Sequence, residues 1–254
     1  MFYIPLCFIL AGCKPTLIAE FEDKPVVNCY LDAGKSPQLT ISKLIAFRDD
    51  VAYADQDIDA LIIKITDETT GEEFTMQPAG AGRYDNPAFT VQAEHSYALH
   101  FTYDNKPVRA SATVPPSPEN VSFSDTSIGT GGFGGMGGIE ITWDNDDRNY
   151  YLVEGVTESA SPIRESETAP AKSFRIDYTQ ENSITLSSMQ FSYFGNYAVS
   201  LIRIEPEYVV MTQSVSNTSS SLADVRGNIE GGYGIFTGIN RVTKTIQVYQ
   251  QTGP

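Results

Sequence analysis

Basic charge, cysteine, histidine and long apolar runs are what this chain has least of. Its 254 residues hold 17 Lys and Arg against 32 Asp and Glu, a net charge of −15. Nucleic-acid binding needs a basic patch to neutralise phosphates, and none exists, so that partner class is disfavoured. Anionic lipid head groups would be repelled for the same reason. The three cysteines are Cys7, Cys13 and Cys29. Past Cys13 no apolar stretch approaches the length of a membrane-spanning helix, so no second membrane segment is expected. His95 and His100, the two histidines, fall on one strand-like segment with opposite parity, so they face opposite sides of a sheet and cannot jointly hold a metal from there. No G-x-S-x-G, H-E-x-x-H or C-x-x-C occurs. Catalytic residues, a cofactor and a metal are therefore not expected, and the reading is non-enzymatic.

What is present begins at the N-terminus. An apolar run from Phe2 leads to Leu10-Ala11-Gly12-Cys13, the pattern of a lipobox. Small side chains at Ala11 and Gly12 give a signal peptidase access to the backbone, and the Cys13 thiol is placed to carry the lipid. The run is too short to span a bilayer and has the length of a signal core, although no Lys or Arg precedes it. The competing reading makes Phe2–Leu10 a core strand and Cys13 a buried thiol. Cleavage at the lipobox removes residues 1–12 with Cys7 and leaves Cys29 as the one free thiol, so no internal disulfide can form. Acyl chains on Cys13 anchor a protein stably, at about 0.8 kcal/mol per buried methylene. The expected location is the bacterial envelope, and Lys14 in place of an aspartate favours the outer membrane, on either face.

From Lys24 onward the chain reads as short strands and turns. Pro25–Leu31, Gln38–Ser42, Leu61–Ile65, Glu73–Met76, Gly82–Tyr84, Tyr97–Tyr103 and Val108–Val114 form a first set. Three prolines within Pro115–Pro118 cannot enter a ladder and mark a linker over 115–119. Beyond it, Ile139–Asp144 ends near the single Trp143, an acidic turn follows, and Tyr150–Glu154 starts the next strand. That order is the pattern of fibronectin type III modules, with the Trp central in the sandwich. Pro206–Ser216 suits a short helix. The expected fold is all-β, two tandem β-sandwiches: Ig-like or transthyretin-like over 24–114, fibronectin type III-like with the helix over 120–254, preceded by a tether over 13–23.

Candidate contact residues are few. Phe133 and Met136 sit among the glycines of Gly129–Gly138, which read as a loop tip or as an adaptable partner surface. Phe191, Tyr193, Phe194 and Tyr197 form the densest aromatic cluster. Tyr193 and Phe194 are the candidates for stacking on a ligand, against a reading in which the cluster fills the second core. Asp55–Asp59 and Asp144–Asp147 offer oxygen ligands but complete no calcium loop. Gly227–Gly238 lacks the Lys-Ser/Thr ending of a phosphate loop; its glycines suit positive φ or close packing, with Tyr233 and Phe236 filling a core.

Taken together, the lipobox with Pro25–Asp32, the series Ala60–Thr66, Gly82–Tyr84, Tyr97–Phe101 and Ala110–Pro118, and the late stretch Gly227–Phe236 resemble an uncharacterised family. Its members are Bacteroidetes outer-membrane lipoproteins whose domain has unknown function. The resemblance spans most of the chain, and Gly129–Gly138 departs from it. Such proteins tend to be encoded beside TonB-dependent receptors. The resemblance thus implies a lipid-anchored accessory role in nutrient uptake, binding a TonB-dependent transporter or its ligand. The alternative is a structural or adhesive cell-surface lipoprotein. No catalytic residues come with the resemblance.

Overall fold

The computed structural model describes residues 23–43, 58–130, 138–164, 172–217 and 227–250, and structural statements below concern those residues. Strands form where branched and aromatic residues alternate with polar ones, the pattern that suits a half-buried pleated surface. In β1 (Pro25–Asp32) Val27, Cys29 and Leu31 point into one core while Asn28 and Tyr30 point the other way. β2 (Gln38–Lys43), β3 (Ile63–Asp67), β4 (Glu73–Gly80), β5 (Arg83–Asp85), β6 (Ser96–Tyr103) and β7 (Lys106–Thr113) complete the first half. β4 changes partner midway. Its Glu73–Met76 part pairs with β3, and from Gln77 it pairs with β5 across a register shift between Pro78 and Gly80. Such a shift bends the strand where it passes from β3 to β5. The enclosed core includes Leu39, Ile65, Tyr84, Phe89, Leu99 and Phe101. Its tyrosines also pin loops: Tyr84 Oη donates to Ile58 O at 2.6 Å and accepts from Leu61 N at 3.1 Å.

The second half contains β8 (Ser122–Phe123), β9 (Ser127–Thr130), β10 (Gly138–Thr142), β11 (Tyr150–Thr157), β12 (Ile163–Arg164), β13 (Ser173–Thr179), β14 (Ser183–Ser187), β15 (Tyr193–Ile204), α1 (Pro206–Asn217) and β16 (Tyr233–Gln250). β14, β10 and β8 make a small sheet. Against it lies a core drawn from both sheets, with Trp143 tilted on Tyr151 at 5.3 Å between centroids. β11 and β15 are buried on both faces. Val153, Val199 and Leu201 fill that core, while Leu152, Ile202 and Ile204 meet Tyr208 and Val209 of α1 on the reverse side. This is why β15 reads as a nearly continuous apolar run instead of an alternation. α1 opens on Pro206, whose missing N–H falls where a helix has no acceptor to offer.

The fold is all-β with sandwiched cores and one α-helix, and β16 unites its halves. From Tyr233 to Ile239 it runs parallel to β1; from Ile239 to Val248 it is antiparallel to β15; its end, Gln247–Gln250, lies parallel to β9. One sheet of thirteen strands therefore runs from β13 through β16 to β7. The expected linker at 115–119 is crossed by this strand, and residues expected in the second module, Ile229 and Phe236, belong to the first core. Two features make the docking work. Gly234 adopts φ +99°, and a Cβ there would stand 1.9 Å from Val27 O; a Cβ on Gly238 would stand 2.2 Å from Thr113 O. Arg109 and Glu230 exchange both backbone hydrogen bonds, at 3.0 and 2.8 Å, so the approach to β16 also meets the free edge of β7. The Asn228 side chain joins in, donating to Phe236 O at 2.6 Å and to Ser111 O at 3.1 Å, and accepting from Phe236 N at 3.0 Å.

Candidate functional site

β1, β16, β15, β11 and β13 lie side by side in that order, and their register decides which side chains share a face. Asp32 is opposite Ile239, Arg241 opposite Ile202, Ser200 opposite Glu154, and Glu154 opposite Arg175. Residues two apart on a strand point the same way. Asp32, Arg241, Glu154 and Arg175 therefore stand in a row across the sheet, on the face that α1 covers, and Tyr30 joins them two residues before Asp32. Where the cover given by Tyr208 ends, a cleft of about 230 Å³ opens between the halves, rimmed by Lys35 and Gln38 from the first.

The cleft is held by a charge network. Arg241 Nε and Nη2 donate to the two Asp32 oxygens at 3.3 and 3.0 Å, a forked contact, while Nη1 reaches Glu154 Oε2 at 3.4 Å. Lys35 Nζ lies 2.7 Å from the same Asp32 Oδ2. Arg175 Nη2 is 3.4 Å from Glu154 Oε1, and Nη1 donates to Tyr208 Oη at 2.8 Å. Arg241 is the most enclosed cation, with a side chain 21% exposed. Burial, and then the neighbouring Tyr208 ring, push the Tyr30 hydroxyl above its ordinary pKa, with Arg175 pulling the other way. Tyr30 is thus a neutral donor at neutral pH. These groups are suited to recognition: guanidinium and ammonium donors beside phenols, with no nucleophile held by a base. Cys29 points into the first core, where burial drives its thiol far up, so it stays protonated and unreactive.

The residues singled out in the sequence fall elsewhere. Cys13, Phe133 and Met136 lie outside the described residues. Tyr193 is 4% exposed and part of the second core, and Phe194 is half-buried against it. Phe191 and Tyr197 meet edge to face at 5.0 Å. Tyr193, Phe191 and Tyr197 are buried and fit the reading in which the cluster fills the second core, whereas Phe194 keeps part of its surface exposed. His95 Nδ1 pairs with Asp67 Oδ2 at 2.7 Å, while His100 is exposed on β6. Asp59 accepts from Gly82 N at 2.7 Å and Asp144 from Asn120 Nδ2 at 2.5 Å, so both serve turns.

A family model, a domain of unknown function termed DUF4249, matches residues 13–245. The chain belongs to that family. No curated protein matches it. Among solved structures, a group of titin domains aligns at 13% identity with a TM-score of 0.21, covering 71% of this chain and 60% of that one.

The DUF4249 match covers every residue of the cleft, yet the sequence did not single the cleft out. Asp32 and Arg241 are 209 positions apart and Glu154 and Arg241 are 87 apart; the parallel pairing of β1 with β16 brings the first two together, and the antiparallel ladder from β16 through β15 to β11 brings the second two. No local signal marks them: Arg241 lies between Asn240 and Val242 in a strand that also holds Thr243 and Lys244.

Proposed function

We propose that this chain is a lipid-anchored, non-enzymatic accessory protein of the bacterial outer membrane that works with a TonB-dependent transporter or with that transporter's ligand. The observation that carries the reading is Leu10-Ala11-Gly12-Cys13 after an apolar run, where small residues and the acylatable thiol coincide. Two acyl chains hold a protein on a bilayer where one does not. Residues 13–23 then span at most about 40 Å, so the folded body stays within reach of a receptor's mouth. The polar cleft between the halves supports ligand capture over a purely mechanical stalk, which has no need of it.

The test is made in the native host. The wild-type chain labels with palmitate and fractionates with outer membranes, while Cys13→Ser neither labels nor sediments. A TonB-dependent receptor in near-equal amount comes down with the wild type after mild cross-linking. Release of neither form from membranes, or a wild type without lipid, refutes the anchor. Recovery of the chain alone, or only with copies of itself, refutes the transporter role in favour of a structural or adhesive one.

A further inference from the structure

We infer that the cleft between β1, β13 and α1 binds a small organic anion: a hydroxylated carboxylic acid about the size of one sugar ring. This concerns what the cleft takes and stands or falls independently of where the chain is anchored.

Charge carries the argument. The lining holds three cations, Lys35, Arg175 and Arg241, against two carboxylates, Asp32 and Glu154, in a chain whose net charge is −15. The bonding pattern sets the surplus at the mouth. Arg241 is fully engaged, forked on Asp32 and touching Glu154. That one residue spans the halves. Lys35 and Arg175 are additional, and both face solvent, with side chains 57% and 53% exposed. Lys35 shares an Asp32 oxygen that Arg241 already uses. Arg175 meets Glu154 at the long distance of 3.4 Å and spends its other terminal nitrogen on a neutral phenol. An incoming carboxylate gains a charge-assisted hydrogen bond from either one without leaving its acidic neighbour unpaired.

The rest of the lining sets the ligand's body. Tyr208 Oη accepts from Arg175, which leaves its own proton to donate. Tyr30 adds a second neutral phenol, Gln38 a carboxamide, and Glu154 an acceptor. Such a mixture matches several hydroxyls around one acid group. A volume of about 230 Å³ falls below the roughly 300–1,000 Å³ of sites for drug-sized ligands. A polyphosphate would need more positive charge than a surplus of one supplies.

The test is calorimetric titration of the full-length protein in detergent with galacturonate, glucuronate, gluconate and citrate, and with galactose as the neutral counterpart. At least one acid binds, and galactose binds at least tenfold more weakly. Arg175→Gln and Lys35→Gln change exposed side chains, and each is checked for unaltered far-UV circular dichroism. Loss of one charge-assisted contact weakens the acid by about tenfold or more, and a loss in either variant supports the site. No binding by any acid overturns the inference, as does galactose binding equally well, or acid binding unchanged in both variants.

Discussion

Replacing Arg241 by Met tests whether the charge row ties the halves together. The Met keeps the apolar stem of the side chain and removes the guanidinium alone. Two carboxylates lose a partner: Asp32, which retains Lys35 at 2.7 Å, and Glu154, which retains Arg175 at 3.4 Å. At about 3 Å and an effective dielectric near 20, the attraction to Asp32 is roughly 5 kcal/mol before desolvation is charged against it. Orphaning a buried charge costs roughly 3–5 kcal/mol. Neither carboxylate is orphaned, so the expected loss is lower, about 2 kcal/mol, measured as a shift of the urea midpoint at constant slope. Arg241 is 21% exposed, so salt should erase less than half of the difference. A cycle with Glu154→Gln should show coupling of about 1 kcal/mol, because the two groups touch across β15. A loss under about 0.5 kcal/mol would refute the claim that Arg241 joins the halves through Asp32, and strict additivity with Glu154→Gln would refute its coupling to Glu154.

Gly238→Ala should be more severe, costing about 3 kcal/mol or more, because the new methyl meets Thr113 O and Val114 Cα, which are backbone and cannot swing aside. An unfolding midpoint equal to wild type would show that β7 and β16 are not packed this closely. Asp67 yields a pH dependence. Burial works against its charge, but the hydrogen bond to His95 and those from the Thr70 and Thr69 amides outweigh it and hold the carboxyl below the ordinary range. A depressed folded-state value means stabilisation present at neutral pH and lost as pH falls through that value. Asp67→Asn should therefore cost about 1–2 kcal/mol at pH 7 and progressively less below about pH 4. A difference that stays constant down to pH 2 would exclude this origin.

Much of the local structure was written in the chain's periodicities. Tyr97–Tyr103 alternates, and it is β6; Pro206 followed by Tyr208 and Val209 announced α1; Trp143 sits where a strand ending in a lone Trp should put it. Short elements escaped, such as β9 and β14, because Ser127–Thr130 and Ser183–Ser187 carry too few apolar residues to set a period. The first half of β16 carries no strand period either. Tyr233–Gly238 has two glycines and no clean alternation, and its strand character comes from β1 beside it. The aromatic cluster divided between core and ligand readings for a similar reason: composition says that Tyr193 is large and flat, but not which side of the sheet it faces.

The class of structure, the places where most strands begin and end, and the membership in a family of unknown function are legible in the chain alone. These depend on interactions between residues a few positions apart, where propensity and pleat leave a readable period. Long-range strand pairing is what makes one strand serve both halves and aligns Asp32, Arg241, Glu154 and Arg175 in a single row. Parallel pairing of β1 with β16 has no local signature, since its partners are some two hundred residues apart and the choice is made by which edge is free and which glycines let the backbones meet.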